Sequence, residues 1–451
     1  MSFNSPIFLF CFLPVVFLAY RFGNNNKYRN ILLAAASLVF YAFGQIWYVF
    51  LLVGSVCINY VSGLALMKKK SRFTLALSIA LNLIILCIFK YSAELKISGL
   101  ALPLGISFFT FQGMSYVIDT YRDGQYGTRN FLKLLLYVCF FPRLVAGPIV
   151  KYHEIEDSLM DRTYSDDAAA DGLRRFVTGF GKKMLIAEPM AHVTDTVMKQ
   201  FSSAEVGDFR LCWIVALAYM LQIYFDFSGY SDMAIGLGRI FGFDFPENFN
   251  HPYGAYSIKE FWRKWHITLS SWFKEYVYIP LGGNRKGKLR ATLNRLIVFL
   301  LTGVWHGANL TYVFWGVCHG LLSSAEDMDI IPVKKLEKNR AGRLALKIYT
   351  LAAVCLLFVI FRSENLMQGF SIIAGMFSSP ALKSNNFLIY SLITPAFLFA
   401  FVFGVLLSGR LPEKVKISST VLRDAGLLTI FVLGILAMAR GNATPFIYAQ
   451  F

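Results

Sequence analysis

Charge is scarce in this chain. Only 16% of its 451 residues are Asp, Glu, Lys or Arg, where a soluble domain carries about 25%. That shortfall, beside 43 Phe and a hydrophobic fraction of 56%, excludes an ordinary soluble enzyme, a disordered chain and a fibrous repeat. Cysteine is equally uninformative as a framework. The seven residues, Cys11, Cys57, Cys87, Cys139, Cys212, Cys318 and Cys355, are scattered, odd in number and free of any CxxC pair. This argues against both disulfide stapling and a zinc site, and reads as small buried hydrophobes. Also missing are a basic leader with a small-residue cleavage site, a solenoid repeat, a GxSxG elbow, a P-loop and a dinucleotide fingerprint. The N-terminal SFNSPIFLFCFLPVVFLAY therefore reads as a first span and not as a signal peptide.

What is present is apolar length. Mean hydropathy is +0.53, and the apolar residues suffice for roughly a dozen spans of about 20 residues each. The expected fold class is an all-α polytopic membrane protein with about 11–13 transmembrane or re-entrant helices. Apolar segments run from Pro6 to Tyr20, Ile31 to Met67 (two spans), Phe73 to Phe89, Ile97 to Ile118, Phe131 to Val150, Phe176 to Val197 and Leu211 to Phe243. Others run from Ile258 to Pro280, Leu293 to Leu322, Leu344 to Phe361, Phe387 to Leu407 and Ala425 to Met438. Two polar stretches, Lys151–Asp171 and Asp327–Lys347, read as connecting loops, which leaves one membrane domain over residues 1–451.

The net charge of +17 comes from 44 Lys and Arg against 27 Asp and Glu. The basic residues lie between apolar segments, as Lys68, Lys69, Lys70 and Arg72 do, and read as cytoplasmic anchors near anionic headgroups. Nucleic acid is not an expected partner, because no basic and aromatic surface exists outside the apolar blocks.

Three places are too polar for a lipid-facing bundle. YFDFSGYSD sets Asp226 and Asp232 among aromatics. Such groups either pair with Arg or Lys to fix packing or line an internal path. Next, Trp262, Trp265, His266, Leu269, Trp272, Phe273 and Tyr276 follow helical spacing, with Arg263, Lys264, Lys274 and Glu275 on the opposite side. This predicts an interfacial helix with His266 inward. After Pro280, Arg285, Lys286, Lys288 and Arg290 form a basic loop, either a solvated anchor or a seat for anionic lipid or donor phosphates. Third, LTGVWHGANLTYVFWGVCHG carries His306 and His319 in an apolar run. A neutral imidazole tolerates low dielectric and still accepts a proton near pH 7. A continuous helix would hold the two about 20 Å apart unless Gly307 or Gly316 breaks it. His266 is freer to approach His306, and Asn309 stands where it can orient the ring or an acyl carbonyl.

WRKWHITLSSWFKEYVYIPLGGNR followed by VWHGANLTYVFWGVCHG resembles the membrane-bound O-acyltransferase (MBOAT) family, above all its bacterial subgroup that acetylates alginate or peptidoglycan. LGISFFTFQGMSYVIDTYR, FFPRLVAGPI and YFDFSGYSDMAIGLGRIFGFDFPENFNHPY extend the resemblance over residues 101–320, and both chain ends share it. It implies a ring of helices around a thinned, funnel-like centre, with His306 as the catalytic residue and His266 as its companion. Asn309, Asp226, Trp305 and Arg285 are the supporting candidates. It further implies acetyl-CoA as donor, no bound metal or resident cofactor, and acetyl transfer across a bacterial cell membrane. The expected partner is an extracytoplasmic SGNH-type acetyltransferase, docked at the Trp-rich helix or at the C-terminal PFIYAQF. Alginate, another exopolysaccharide, peptidoglycan or cellulose would be the acceptor. D-alanyl transfer to teichoic acid fits the wording less well, and a proton-coupled transporter or flippase is the non-enzymatic alternative. Arg143, where Gln is expected, and Ala449, where an aromatic is common, depart from the subgroup and bear on acceptor and partner.

Overall fold

A computed structural model describes residues 1–92, 97, 100–203, 208–378, 380–409, 419–440 and 446. The described residues are helical, with no strand among them. They fall into two compact units. The first comprises Met1–Phe180, Tyr230–Glu247 and the C-terminal Phe446; the second comprises Gly181–Gly229 and the described residues from Asn248 onward. Among the described residues, five helices are long and apolar enough to cross a membrane, or six if the bent pair Lys383–Leu392 and Pro395–Ser408 is one span. The number is below the expectation from hydropathy because several apolar segments do not run as one helix. Phe131–Val150, for example, yields only Phe131–Cys139 and the single turn Phe141–Leu144, with Pro142 early in that turn. The chain is a multi-pass membrane protein.

In the first unit, α1 (Trp47–Lys68) and α2 (Arg72–Lys90) span, and α3 (Ile106–Arg122) packs on both. Asn59 and Asn82 lock α1 to α2 with reciprocal amide hydrogen bonds of 3.1 and 2.9 Å. Such pairs hold apolar helices together where lipid offers no hydrophobic drive. Tyr230 is clasped by Phe3 at 4.8 Å and Phe446 at 4.5 Å. Arg143 is fully buried, donates to the carbonyls of Tyr137 and Val150, and lies 4.6 Å over the Tyr137 ring. The departure at this position is thus absorbed by local packing. Ala449 and most of PFIYAQF lie outside the described residues.

The chain passes from the second unit to the first within α4 (Phe209–Ile240). The second unit continues with α5 (Ile258–Lys264), α6 (Ile267–Phe273), α7 (Gly287–His306), α8 (Leu310–Asp327), α9 (Arg340–Arg362) and α10 (Thr420–Ala439). Helices α7 and α8 form a tight hairpin, closer than side chains usually allow. A Cβ on Gly303 would meet the Tyr312 carbonyl at 2.5 Å, and one on Gly316 the Phe299 carbonyl at 2.4 Å. Glycine is required at both for the backbones to approach.

Candidate active site

The expected interfacial helix is broken at His266 itself. Helix α5 stops at Lys264, α6 starts at Ile267, and His266 between them adopts φ 44° and ψ 54°. This left-handed backbone costs a side-chain-bearing residue about 1–2 kcal/mol. The segment 248–250 stitches the break. Asn250 N–H donates to the Lys264 carbonyl at 3.0 Å, and Ile267 N–H to the Asn248 carbonyl at 2.9 Å. The Thr268 N–H donates to Asn248 Oδ1 at 3.3 Å and its hydroxyl at 2.8 Å. The inward side is otherwise as expected: Trp265, Leu269, Trp272, Phe273 and Tyr276 are buried, whereas Arg263 and Lys274 are exposed.

These bonds also decide the imidazole. His266 Nδ1 lies 3.0 Å from Asn248 Oδ1. Two donors from Thr268 converge on that same atom, so it is the amide oxygen and Nδ1 must carry the hydrogen. The neutral ring then presents Nε2 as an acceptor. Phe227 packs edge-on to it at 4.7 Å. No sequence argument singled out Asn248, which is fully buried. The signal was a polar amide inside PENFNHPY, at a spacing from His266 that carries no periodicity.

His306 is the last residue of α7, and Gly307 ends the helix in an extended conformation. The break foreseen as a possibility at Gly307 is real, so His306 and His319 sit on opposite arms of the hairpin. The His306 ring is buried among Trp305 at 4.8 Å, Phe361 at 5.0 Å and Trp315 at 5.4 Å. Trp305 is shared, since its ring is also 6.3 Å from His266. Trp315 reaches the other way to His319, at 5.1 Å. The Trp315 indole N–H is buried with no hydrogen-bond partner among the described residues. Trp315 was quoted in the motif without a role; only the hairpin sets it against His306. His319 is fully buried in a box of Trp262, Trp315, Phe261 and Phe299 rings.

The supporting candidates divide. Trp305 joins the two histidines. Asn309 caps α8, accepting from Thr311 N–H at 3.0 Å and donating to the Glu364 carbonyl at 2.6 Å. Its side chain serves the turn. Asp226 pairs with Lys183 at 2.6 Å, and Glu188 holds the same ammonium at 2.8 Å. Asp232 pairs with Arg175, which also grips Glu247. Both aspartates thus follow the ion-paired packing reading. Arg285 stands exposed in the turn after Gly282 and Gly283, outside the ring cluster.

Two histidines around one tryptophan, on segments with the motif wording above, can be set against known proteins. The model of the membrane-bound O-acyltransferase family matches residues 33–337. The chain belongs to the MBOAT family. It is an acyltransferase. Its relatives include a probable alginate O-acetylase, AlgI, of Pseudomonas syringae pv. tomato, 42% identical over 399 residues that cover 84% of this chain and 75% of that one. A peptidoglycan O-acetyltransferase of Helicobacter pylori is 38% identical over 425 residues, 83% of this chain and 80% of the relative. A teichoic acid D-alanyltransferase of Bacillus subtilis is 29% identical over 276 residues, 58% of this chain and 69% of the relative. As an acyltransferase, this MBOAT member is not the non-enzymatic transporter that its buried aspartates also allowed.

Proposed function

We propose that this chain takes acetyl from acetyl-CoA on the cytoplasmic side of a bacterial inner membrane and passes it outward for O-acetylation of a polysaccharide. The observation that supports it most is the placing of His306 at a helix end, desolvated by aromatic rings, with His266 across Trp305. In the reaction, His306 takes the proton of an acceptor hydroxyl as that oxygen attacks the thioester carbonyl. The C–O bond forms, the C–S bond breaks, and the imidazolium returns its proton to the leaving thiolate. Held with Nδ1 protonated, neutral His266 acts as a hydrogen-bond acceptor that orients the hydroxyl and not as an oxyanion donor. The buried indole N–H of Trp315 is the donor that suits the developing oxyanion. Relatives named for alginate and peptidoglycan acetylation support acetyl and polysaccharide over D-alanyl and teichoic acid, whose relative is less similar. An extracytoplasmic SGNH-type acetyltransferase completes the transfer.

The test uses membranes bearing the protein, with and without that partner, supplied with acetyl-labelled acetyl-CoA. Label in an ester-linked polymer, lost in His306→Ala at equal protein level, is the expected result. Absence of label with folded protein and partner present overturns the reading, and label from a D-alanyl donor would replace it.

A further inference from the structure

The first unit carries an apolar groove of about 440 Å³ that the reaction above does not use. One wall is the helical stretch Phe8–Arg21, which is apolar yet shorter than a membrane span. Leu9, Leu13, Phe17 and Arg21 line the groove at intervals of four residues, so they form one stripe along that helix. The other wall is Ala169, Ala170 and Leu173 of the helix Asp166–Gly181, together with Ile240. The stripe is apolar at three positions and charged at the fourth. There Arg21 donates to the Asp166 carboxylate, at 3.1 Å from Nη2, and to the Tyr164 hydroxyl at 3.3 Å. That hydroxyl in turn donates to Asp166 at 2.7 Å. The Arg29 guanidinium lies 5.5 Å over the Tyr164 ring and brings a second cation to this end.

An occupant must be apolar along its length and carry both signs of charge at one end. From Leu9 to Arg21 a helix rises about 18 Å. One leaflet of a bilayer holds about 15 Å of hydrocarbon, half of a core of about 30 Å. The stripe thus matches one leaflet in length, with its charges where the headgroups begin. We infer that the groove binds a single phosphatidylethanolamine molecule, with one acyl chain along the stripe and the headgroup on the Arg21–Asp166 pair. The phosphodiester meets the Arg21 guanidinium, with Arg29 behind Tyr164, and the ammonium meets the Asp166 carboxylate. Charge-assisted bonds of this type are the strong ones. Both partners keep capacity for them, since a guanidinium has five N–H groups and a carboxylate about four acceptor sites. Their side chains are 47% and 62% exposed. Phosphatidylcholine has no N–H to donate to Asp166, and phosphatidylglycerol brings no cation to it. Selection by headgroup separates this site from the lipid that coats any apolar helix, and it does not depend on the transfer reading above.

The experiment places the full chain in nanodiscs of equal parts phosphatidylethanolamine, phosphatidylglycerol and phosphatidylcholine. Native mass spectrometry then counts the lipids that stay with the released protein. One phosphatidylethanolamine per chain is expected, enriched about tenfold over either competitor by its charge-assisted contacts. Arg21→Gln/Asp166→Asn is expected to abolish that enrichment. Ala170→Phe fills the groove from its wall and is expected to release the lipid altogether. Because the charge variant alters only exposed side chains, it tests the headgroup even where Ala170→Phe disturbs folding. Lys334→Gln/Lys335→Gln, on a short helix with no buried residue, serves as a control that retains the lipid unchanged. No retained lipid, equal retention of the three headgroups, or a preference for phosphatidylglycerol overturns the proposal. So does an enrichment that survives both groove variants.

Discussion

The two histidines differ in their surroundings. His266 sits on a strained left-handed backbone, and one amide oxygen of Asn248 serves its ring and Thr268 together. His306 stands at a helix end among the rings of Trp305, Trp315 and Phe361. A hydrogen-bonded ring has a defined tautomer and little freedom. In the proposed reaction the first is a positioning station and the second a working one.

That contrast can be broken most sharply at His306. His306→Ala is expected to lower acetyl transfer by about 10²–10⁴-fold, the range for loss of a general base, with insertion into membranes unchanged. Trp315→Phe keeps the ring but removes the N–H, and about 10²-fold loss in kcat is expected for an oxyanion donor. Little change there would leave Trp315 a packing residue. Asn248→Ala removes one acceptor from three donors. About tenfold lower kcat and an altered pH–rate profile are expected, and a stability loss of about 2 kcal/mol accompanies it. If only stability moves, Asn248 does not position the ring. Gly316→Ala forces a Cβ against the Phe299 carbonyl, and about 1–3 kcal/mol of destabilisation by overpacking is expected in thermal unfolding.

The smallest effect concerns a second polar-held point, outside the spans. Burial disfavours the charged Asp208 carboxylate, yet Arg210, the Leu382 N–H and the Asn385 amide outweigh it and hold its pKa at about 2. A depressed carboxylate stabilises the fold above its ordinary pKa near 4 and ceases to do so as pH falls toward 2. Acid titration of unfolding is therefore expected to show a loss in that window that Asp208→Asn lacks. An identical profile in the variant would mean that this junction contributes nothing to acid stability.

Much of the candidate site is legible in the sequence. His306, His266 and Trp305 stand together, and the inward face of the Trp-rich segment was readable from its spacing. The break at His266 was not, because the residues that compensate it, Asn248 and Asn250, are remote in pattern and act through single hydrogen bonds. Asn309 is a candidate by its place one turn after His306, and Asp226 by its ionisable group at membrane depth; the structure shows Asn309 capping a helix and Asp226 paired with Lys183. Arg285 belongs to a conspicuous basic loop that stands exposed outside the ring cluster.

Composition and hydropathy by themselves determined a helical membrane protein, since burial preference is a property of short stretches of chain, and the wording and order of the motifs carried the family resemblance that implies an acyltransferase with a histidine pair. Only the tertiary structure decided which polar groups serve that pair. Whether a buried Asn, Asp or Trp caps, pairs or points at a reacting centre depends on contacts between residues far apart in sequence, and those exist only once the helices have packed.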